Sequence, residues 1–424
     1  MTTAVVNAPA SAARRHWFPH ESDSPMTACG TSLRTRTLEE TEALAQASLE
    51  RCGITRIADV TDLDVLGIPV FHSTRPAAAP GLNTVTSGKG ATARAARVSA
   101  MMEAIERTWC EPPTDPPPVA SYAELRQQGL AVLDPRRLIL RRGHTWNQDA
   151  PIHWWPVREI FTDTEVWVPA LAVFTPYPHE CHMASSNVIG LAVGNSPQEA
   201  LLHGLLEAIE QDCTAFGETL RRGHRVRLES LPELPAQLVE RFRAKGVNVQ
   251  VFSYVNEIGV PAMFATTDDT HAEDGMLING GGGAHLDPLV SVTRALTEAA
   301  QSRLAVINGA REDLNSQAYR RHASYRAMRE MLHAWSAERE EIDFGDLPNT
   351  STGTTQGDLE RVLDGLDTAG LGLVFAAELA PEDFPFSVTQ VVVPGLEVYH
   401  HDNARLGTRL RREMVAAGMA RPLR

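Results

Sequence analysis

The sequence predicts a mixed α/β protein. Three observations carry this: amphipathic helical stretches alternate with short β-branched runs, the alternation lacks the strict period of a doubly wound sheet, and three of the helices are built alike. Residues 37–52 read as a first helix, with Leu38, Thr41, Leu44 and Leu49 on one face and Gly53 as a stop. Short β-like runs follow, clearest at 67–71. A glycine and threonine stretch at 81–90 leads into a helix over 93–109, which the prolines of 112–118 must end. A small helix at 122–128 precedes a hairpin with strands at 152–160 and 165–174, joined at Thr162-Asp163-Thr164. A long helix covers 197–216, and 249–254 and 262–266 have the composition of buried strands. Glycines 280–283 form a loop opening a helix over 288–308, and a strand-like run at 390–393 precedes a basic tail.

Composition narrows the function. The chain has 424 residues, 43% of them hydrophobic and 22% charged, enough for a large soluble core. No apolar run is long enough to span a bilayer. Residues 1–32 lack the apolar centre of a signal peptide and are expected to be a disordered lead-in. The net charge of −14 argues against nucleic acid as a partner. Five cysteines without a C-x-x-C pair fit a reducing cytoplasm and supply no structural zinc site. Only two of the 39 basic residues are lysines, and Lys89 stands between two glycines, where it is a candidate for chemistry; Lys245 reads as a surface helix end.

The three similar helices carry Glu103/Glu106, Glu207/Glu210 and Glu298/Gln301. Residues at i and i+3 share a helical face. Thr92, Ser196 and Asp287 each stand 11 residues before the first glutamate and suit an N-cap, with Pro197 and Pro288 at the favoured next position. Glycine-bearing segments precede each cap: 87–90, 190–194 and 280–283. One such pair reads as a solvated surface. Three pairs among apolar neighbours read as oxygen ligands gathered for Mg²⁺, with the glycine loops and Lys89 holding nucleotide phosphates. No Walker pattern is present, which excludes an ordinary P-loop NTPase. His179-Glu180-Cys181-His182 is expected to be a polar loop, His400-His401 surface, Trp154-Trp155 core packing and Cys213 a buried helix cysteine.

At these residues the sequence resembles the YcaO superfamily. Thr55-Arg56-Ile57-Ala58-Asp59 through Asp64, with Gly67-Ile68-Pro69-Val70, resembles its entry motif. Ser87-Gly88-Lys89-Gly90 through Glu103-Ala104-Ile105-Glu106-Arg107 resembles its first nucleotide-binding helix. Ser186-Asn187-Val188-Ile189-Gly190 with Glu207-Ala208-Ile209-Glu210 resembles the second. Ala284-His285-Leu286-Asp287-Pro288 with Glu298-Ala299-Ala300-Gln301-Ser302-Arg303 resembles the third, which Gly309-Ala310-Arg311-Glu312-Asp313 extends. Val393-Pro394-Gly395-Leu396-Glu397 resembles the C-terminal signature. The resemblance spans 33–411, the expected catalytic domain, and leaves 412–424 as a tail.

The resemblance implies a YcaO-type fold whose three motifs converge on an ATP–Mg²⁺ site. It further implies a cytoplasmic enzyme, often a homodimer, that activates a backbone amide of a peptide or protein substrate through phosphorylation of the amide oxygen. Glu103, Glu106, Glu207, Glu210, Glu298 and Gln301 become metal or phosphate-site residues, and Lys89, Ser99, Asn187, Arg303 and Arg311 candidates for nucleotide contact. No general base is assigned. The ending Ala420-Arg421-Pro422-Leu423-Arg424 lacks the proline-rich tail of azoline-forming members, and no fused leader-binding domain is evident. Both favour thioamide formation with a separate TfuA-like or leader-binding partner; azoline or amidine formation is the alternative, and a non-catalytic nucleotide-binding scaffold the alternative of another class.

Overall fold

The structure is a computed structural model that describes residues 25–28, 32–254, 256–309, 312, 324–337 and 339–419. Thr37 starts helix α1 (Leu38–Ser48) by accepting from the Glu40 amide while Glu40 reaches back to Thr37, a reciprocal cap. The helix over 93–109 forms as α2 (Ala93–Trp109), α3 is Tyr122–Gln127, and α4 (Pro197–Leu220) runs one turn beyond the expectation. Helices α5 (Glu233–Arg243) and α6 (Pro288–Asn308) follow, and three more cover Tyr325–Ser336, Thr355–Thr368 and Thr408–Ala416. Thr92, Ser196 and Asp287 cap α2, α4 and α6, accepting from the Ala95, Glu199 and Leu289 amides.

The strands form three sheets and one short ladder, β1 (Thr27–Ala28) with β2 (Leu33–Arg34). The first sheet is an antiparallel meander of β3 (Arg56–Asp59), β4 (Val70–Thr74) and β5 (Val85–Lys89). The second runs β6 (Val119–Ser121), β7 (Pro151–Glu159), β15 (Phe375–Glu378), β16 (Ser387–Val392), β9 (Leu191–Gly194), with β8 (Thr164–Pro169) also on β7. The third runs β13 (Asn279–Ala284), β12 (Ala262–Asp269), β11 (Val247–Tyr254), β10 (His224–Val226), β14 (Glu341–Ile342). The hairpin closes with Glu159 opposite Thr164 as expected, but its second strand stops at Pro169, after which 170–172 turn into a 3₁₀ segment.

The glycine segments are strands rather than loops, and this corrects the sequence reading. β5, β9 and β13 each end a sheet and run directly toward α2, α4 and α6. Their glycines let each strand lie against the backbone of its own helix: a methyl added at Gly88 would overlap Ala100, at Gly194 Ala200, and at Gly281 Ala299. Close approach of strand to helix is what these glycines provide.

Each helix also packs on the strand of the next unit: α2 on β9, α4 on β13 and α6 on β5. The three strand–helix pairs therefore close into a ring. Leu201, Leu205 and Ile209 of α4 are completely buried beneath it. Glu397 of the C-terminal signature is structural: fully buried, it accepts from the Gly407 and Leu410 amides at 2.9 and 3.1 Å and fastens the last helix. That helix places Leu410 and Met414 on Ala215, so the expected boundary between 411 and 412 falls inside an element.

Candidate active site

The ring surrounds an open cleft of about 710 Å³, large enough for a nucleotide. Its walls include Glu103, Glu106, Glu207, Glu210, Glu298 and Gln301, so all three helical pairs reach one site. The first member of each pair meets a neighbour from its own unit. Arg107 donates to Glu103 through Nε and Nη2 at 3.0 and 2.7 Å; the Gly190 amide donates to Glu207; the Gly282 amide donates to Glu298 at 3.3 Å. The second member crosses to the next unit. Val193 N donates to Glu106 at 3.2 Å, the Ala284 amide reaches Glu210, and Gln301 Nε2 donates to Ser87 O at 2.5 Å.

Burial raises the Glu106 carboxyl well above its ordinary value, and the neighbouring Glu103 charge adds to the effect. Burial likewise pushes Glu207 up to about 8, with Glu210 contributing, and Glu210 up to about 7, with Glu298 contributing. For Glu298, burial is outweighed by the Lys89 ammonium, which donates to its carboxylate, and it lies below the usual range. The cleft thus holds more buried carboxylate than its cations neutralise, and oxygen donors are the kind that suit a divalent magnesium ion, although among the described residues no three such groups stand close enough to hold a metal by themselves.

Lys89 and Ser99 border the cleft, and Ser99 Oγ accepts from the Lys89 amide at 3.3 Å, tying β5 to α2. Asn187 borders it too, its side chain accepting from the Ile189 amide at 3.0 Å. Arg303 does not. It is 4% exposed and pairs with Asp64 and Asp269 at 2.9 and 2.7 Å, a buried link between α6, β12 and the segment after β3. Arg311 lies outside the described residues.

Several cleft residues escaped the sequence reading. Arg294 stands four residues before Glu298, a spacing that could have found it. Glu199 stands three after the Ser196 cap and accepts from Thr35 N and Oγ1 at 2.9 and 2.6 Å and from Asn195 N at 3.2 Å. Arg34 and His203 have no local signal, because only folding sets Arg34 and Arg294 on opposite ring nitrogens of His203, at 3.5 and 3.1 Å. Burial and these two cations push the His203 imidazole well below its ordinary value. His400 and His401 are exposed, as expected; His400 contacts Glu218 at 2.7 Å and His401 stands at the rim of the cleft. Trp154 is core and Cys213 is a buried helix cysteine, as expected. Among the described residues no cluster of metal-binding type forms at 179–182, and no helix is long and apolar enough to cross a membrane.

Fold and site together define a mixed α/β protein with an open, carboxylate-lined cleft framed by helices. The chain matches the family model of YcaO cyclodehydratase, ATP- and Mg²⁺-binding, over residues 87–397, and it belongs to the YcaO family. ATP and Mg²⁺ are its cofactors. An uncharacterized protein of Methanothermobacter thermautotrophicus is 40% identical, the match covering 86% of this chain and 94% of that one. An uncharacterized protein in the tfuA 3′ region of Rhizobium leguminosarum bv. trifolii is 30% identical over 86% and 89%. YcaO from Methanopyrus kandleri, solved with AMPPCP and Mg²⁺, shares the fold with a TM-score of 0.76 at 23% identity, over 91% of this chain and 98% of that one. A heterocyclase in complex with substrate and cofactor gives 0.79 at 23% identity, over 96% of this chain and 58% of the heterocyclase.

Proposed function

We propose that this chain activates a backbone amide of a peptide or protein substrate by phosphorylating the amide oxygen, and that hydrosulfide replaces that oxygen to leave a thioamide. The observation that carries the reading is the convergence of three acidic helical pairs and Lys89 on one cleft. Glu103, Glu106, Glu207, Glu210 and Glu298 are the metal-site residues. Lys89, Ser99, Asn187 and Arg294 face the phosphates, and Gln301 orients the strand that carries Lys89. Bound ATP with Mg²⁺ supplies the phosphoryl group that makes the amide oxygen a leaving group. The chain's part is electrostatic: preorganised cations and amide donors offset charge on that group without reorganising. The tfuA neighbourhood named for the Rhizobium relative supports a separate TfuA-like partner.

A second reading is azoline formation, in which a substrate Cys, Ser or Thr side chain is the nucleophile; the heterocyclase likeness favours it. Purified protein with ATP, Mg²⁺, sodium sulfide and a pool of short synthetic peptides separates the two by mass spectrometry. Replacement of oxygen by sulfur is expected. Loss of one water, persisting without sulfide, would give first place to the azoline. Glu103→Ala and Glu207→Ala should abolish turnover while the protein stays folded. Wild-type ATP turnover in both variants would refute the shared metal site.

A further inference from the structure

We infer that a small cavity beside the cleft is a subsite for a carboxamide group of the peptide substrate. The inference rests on the amide-activation reading and names a feature of the substrate that this reading leaves open. The cavity measures about 80 Å³, several times the space one water needs, and so holds the end of one side chain. It meets the cleft at Asn187, which lines both spaces. Along the same segment Ser185 and Ile189 face the cavity, whereas Ser186 and Val188 face the cleft. A single stretch of chain therefore separates the two.

Arg405 lines this cavity and is 7% exposed. Its hydrogen bonds go to neutral carbonyls: Nε donates to Ile139 O at 2.8 Å, Nη2 to Leu138 O at 2.6 Å and Nη1 to Ser185 O at 3.5 Å. Among the described residues it forms no ion pair. The Asp402 carboxylate, whose charge acts on it, is bonded instead to Arg141 and Ser185 at 2.7 and 3.0 Å. A guanidinium carries five N–H groups, so one hydrogen on each Nη remains. Burial lowers the group to about 10, the direction expected of a cation with no carboxylate bonded to it.

Gln390 of β16 lines the cavity as well and is buried. Its Nε2 donates to Ile189 O and Val391 O at 2.7 and 3.0 Å. These two carbonyls fix which atom is the nitrogen and spend both of its hydrogens, which leaves Oε1 to accept. The cavity thus offers donors from Arg405 and an acceptor from Gln390, and a carboxamide has the matching oxygen and N–H groups. A ligand carboxylate would meet the carboxylate of Glu397 in the same lining, and an apolar group would leave the guanidinium unpaired. The carboxamide comes from an Asn or Gln side chain or from an amidated C-terminus.

The test uses short alanine peptides, acetylated at one end and methylamidated at the other, with Gln, Asn, Glu or Leu placed at each position in turn. A second set ends in a primary amide or a free carboxylate. Dissociation constants are measured by calorimetry with Mg²⁺ and AMPPCP present. At one position Gln or Asn should bind roughly tenfold tighter or more than Glu or Leu; a gain confined to the primary amide assigns the C-terminal source. Ala172→Leu fills the cavity from its wall and should erase the preference while AMPPCP affinity is unchanged, and Arg405→Gln should erase it too. Peptides that bind without preference, a preference for Glu, Leu or the free carboxylate, or a carboxamide preference that survives Ala172→Leu overturns the inference. Crystals soaked in acetamide or in acetate need no peptide: acetamide on Arg405 is expected, and acetate alone or neither overturns the inference. If no peptide binds while acetamide does, the peptide-substrate reading fails and the subsite stands.

Discussion

Gln301 of α6 donates to the carbonyl of Ser87 on β5, and this bond closes the ring of three strand–helix units. The two equivalent links, Val193 to Glu106 and Ala284 to Glu210, run from a backbone N–H to a carboxylate. Where the strand presents a carbonyl, the helix needs a donor, and an amide stands in place of the acid. Gln301→Glu would set a carboxylate against a carbonyl. It should cost about 1–3 kcal/mol in urea unfolding and lower nucleotide affinity; an unchanged midpoint would show that the link carries no weight.

Lys89 is expected to matter where Lys245 does not. Lys89 donates to Glu298 inside the cleft, whereas Lys245 is exposed after α5. Lys89→Ala should weaken AMPPCP binding by roughly tenfold or more, about 1.4 kcal/mol. Lys89→Arg should not restore it, since a planar guanidinium differs from a compact ammonium. Calorimetry showing equal effects at the two lysines would remove the distinction.

Arg303 should act on stability alone. Arg303→Met leaves Asp64 and Asp269 buried without their cation, and breaking such a pair costs about 3–5 kcal/mol. The folded fraction should bind AMPPCP as wild type does. A selective loss of affinity at unchanged stability would restore Arg303 to the nucleotide site.

The buried acids make stability pH-dependent. Glu207 and Glu210 titrate at about 8 and about 7 when folded, above the ordinary 4.5 of an unfolded chain. Between those values the folded protein holds protons that the unfolded chain has lost, so this contribution to stability falls as pH rises through the window and levels off above it. A metal displaces those protons, so the rise in Tm on adding Mg-ATP should be larger near about pH 8 than near about pH 6. Equal rises at both would contradict the exchange.

Gly88→Ala should disrupt the fold, because the added methyl overlaps the backbone of Ala100. Gly345→Ala, exposed with nothing within 4 Å of the new methyl, is the control. Thermal melts that move equally would contradict the close-approach argument.

Much of this was legible because its causes are local. The capped helices, the hairpin turn at 162–164 and the shared face of each acidic pair follow from spacing alone. β5, β9 and β13 were read as loops because glycine carries no β-branched signal. The reason for it, a helix backbone lying alongside, exists only in the folded chain. Arg303 departs from expectation for a related reason: the partners that decide its role, Asp64 and Asp269, are 239 and 34 residues away in sequence.

The ring also has a colloidal consequence. β5, β9 and β13 are terminal strands, and an open strand edge invites another chain to add to it. Here their backbone groups are occupied by the cleft's own side chains: Ser87 O by Gln301, Val193 N by Glu106, Gly282 N by Glu298. Gln301, Glu106 and Glu298 therefore also occupy backbone groups that a second chain could otherwise use. Removing them uncovers templates for strand addition on three sheets, so solubility on storage is tied to the integrity of the cleft.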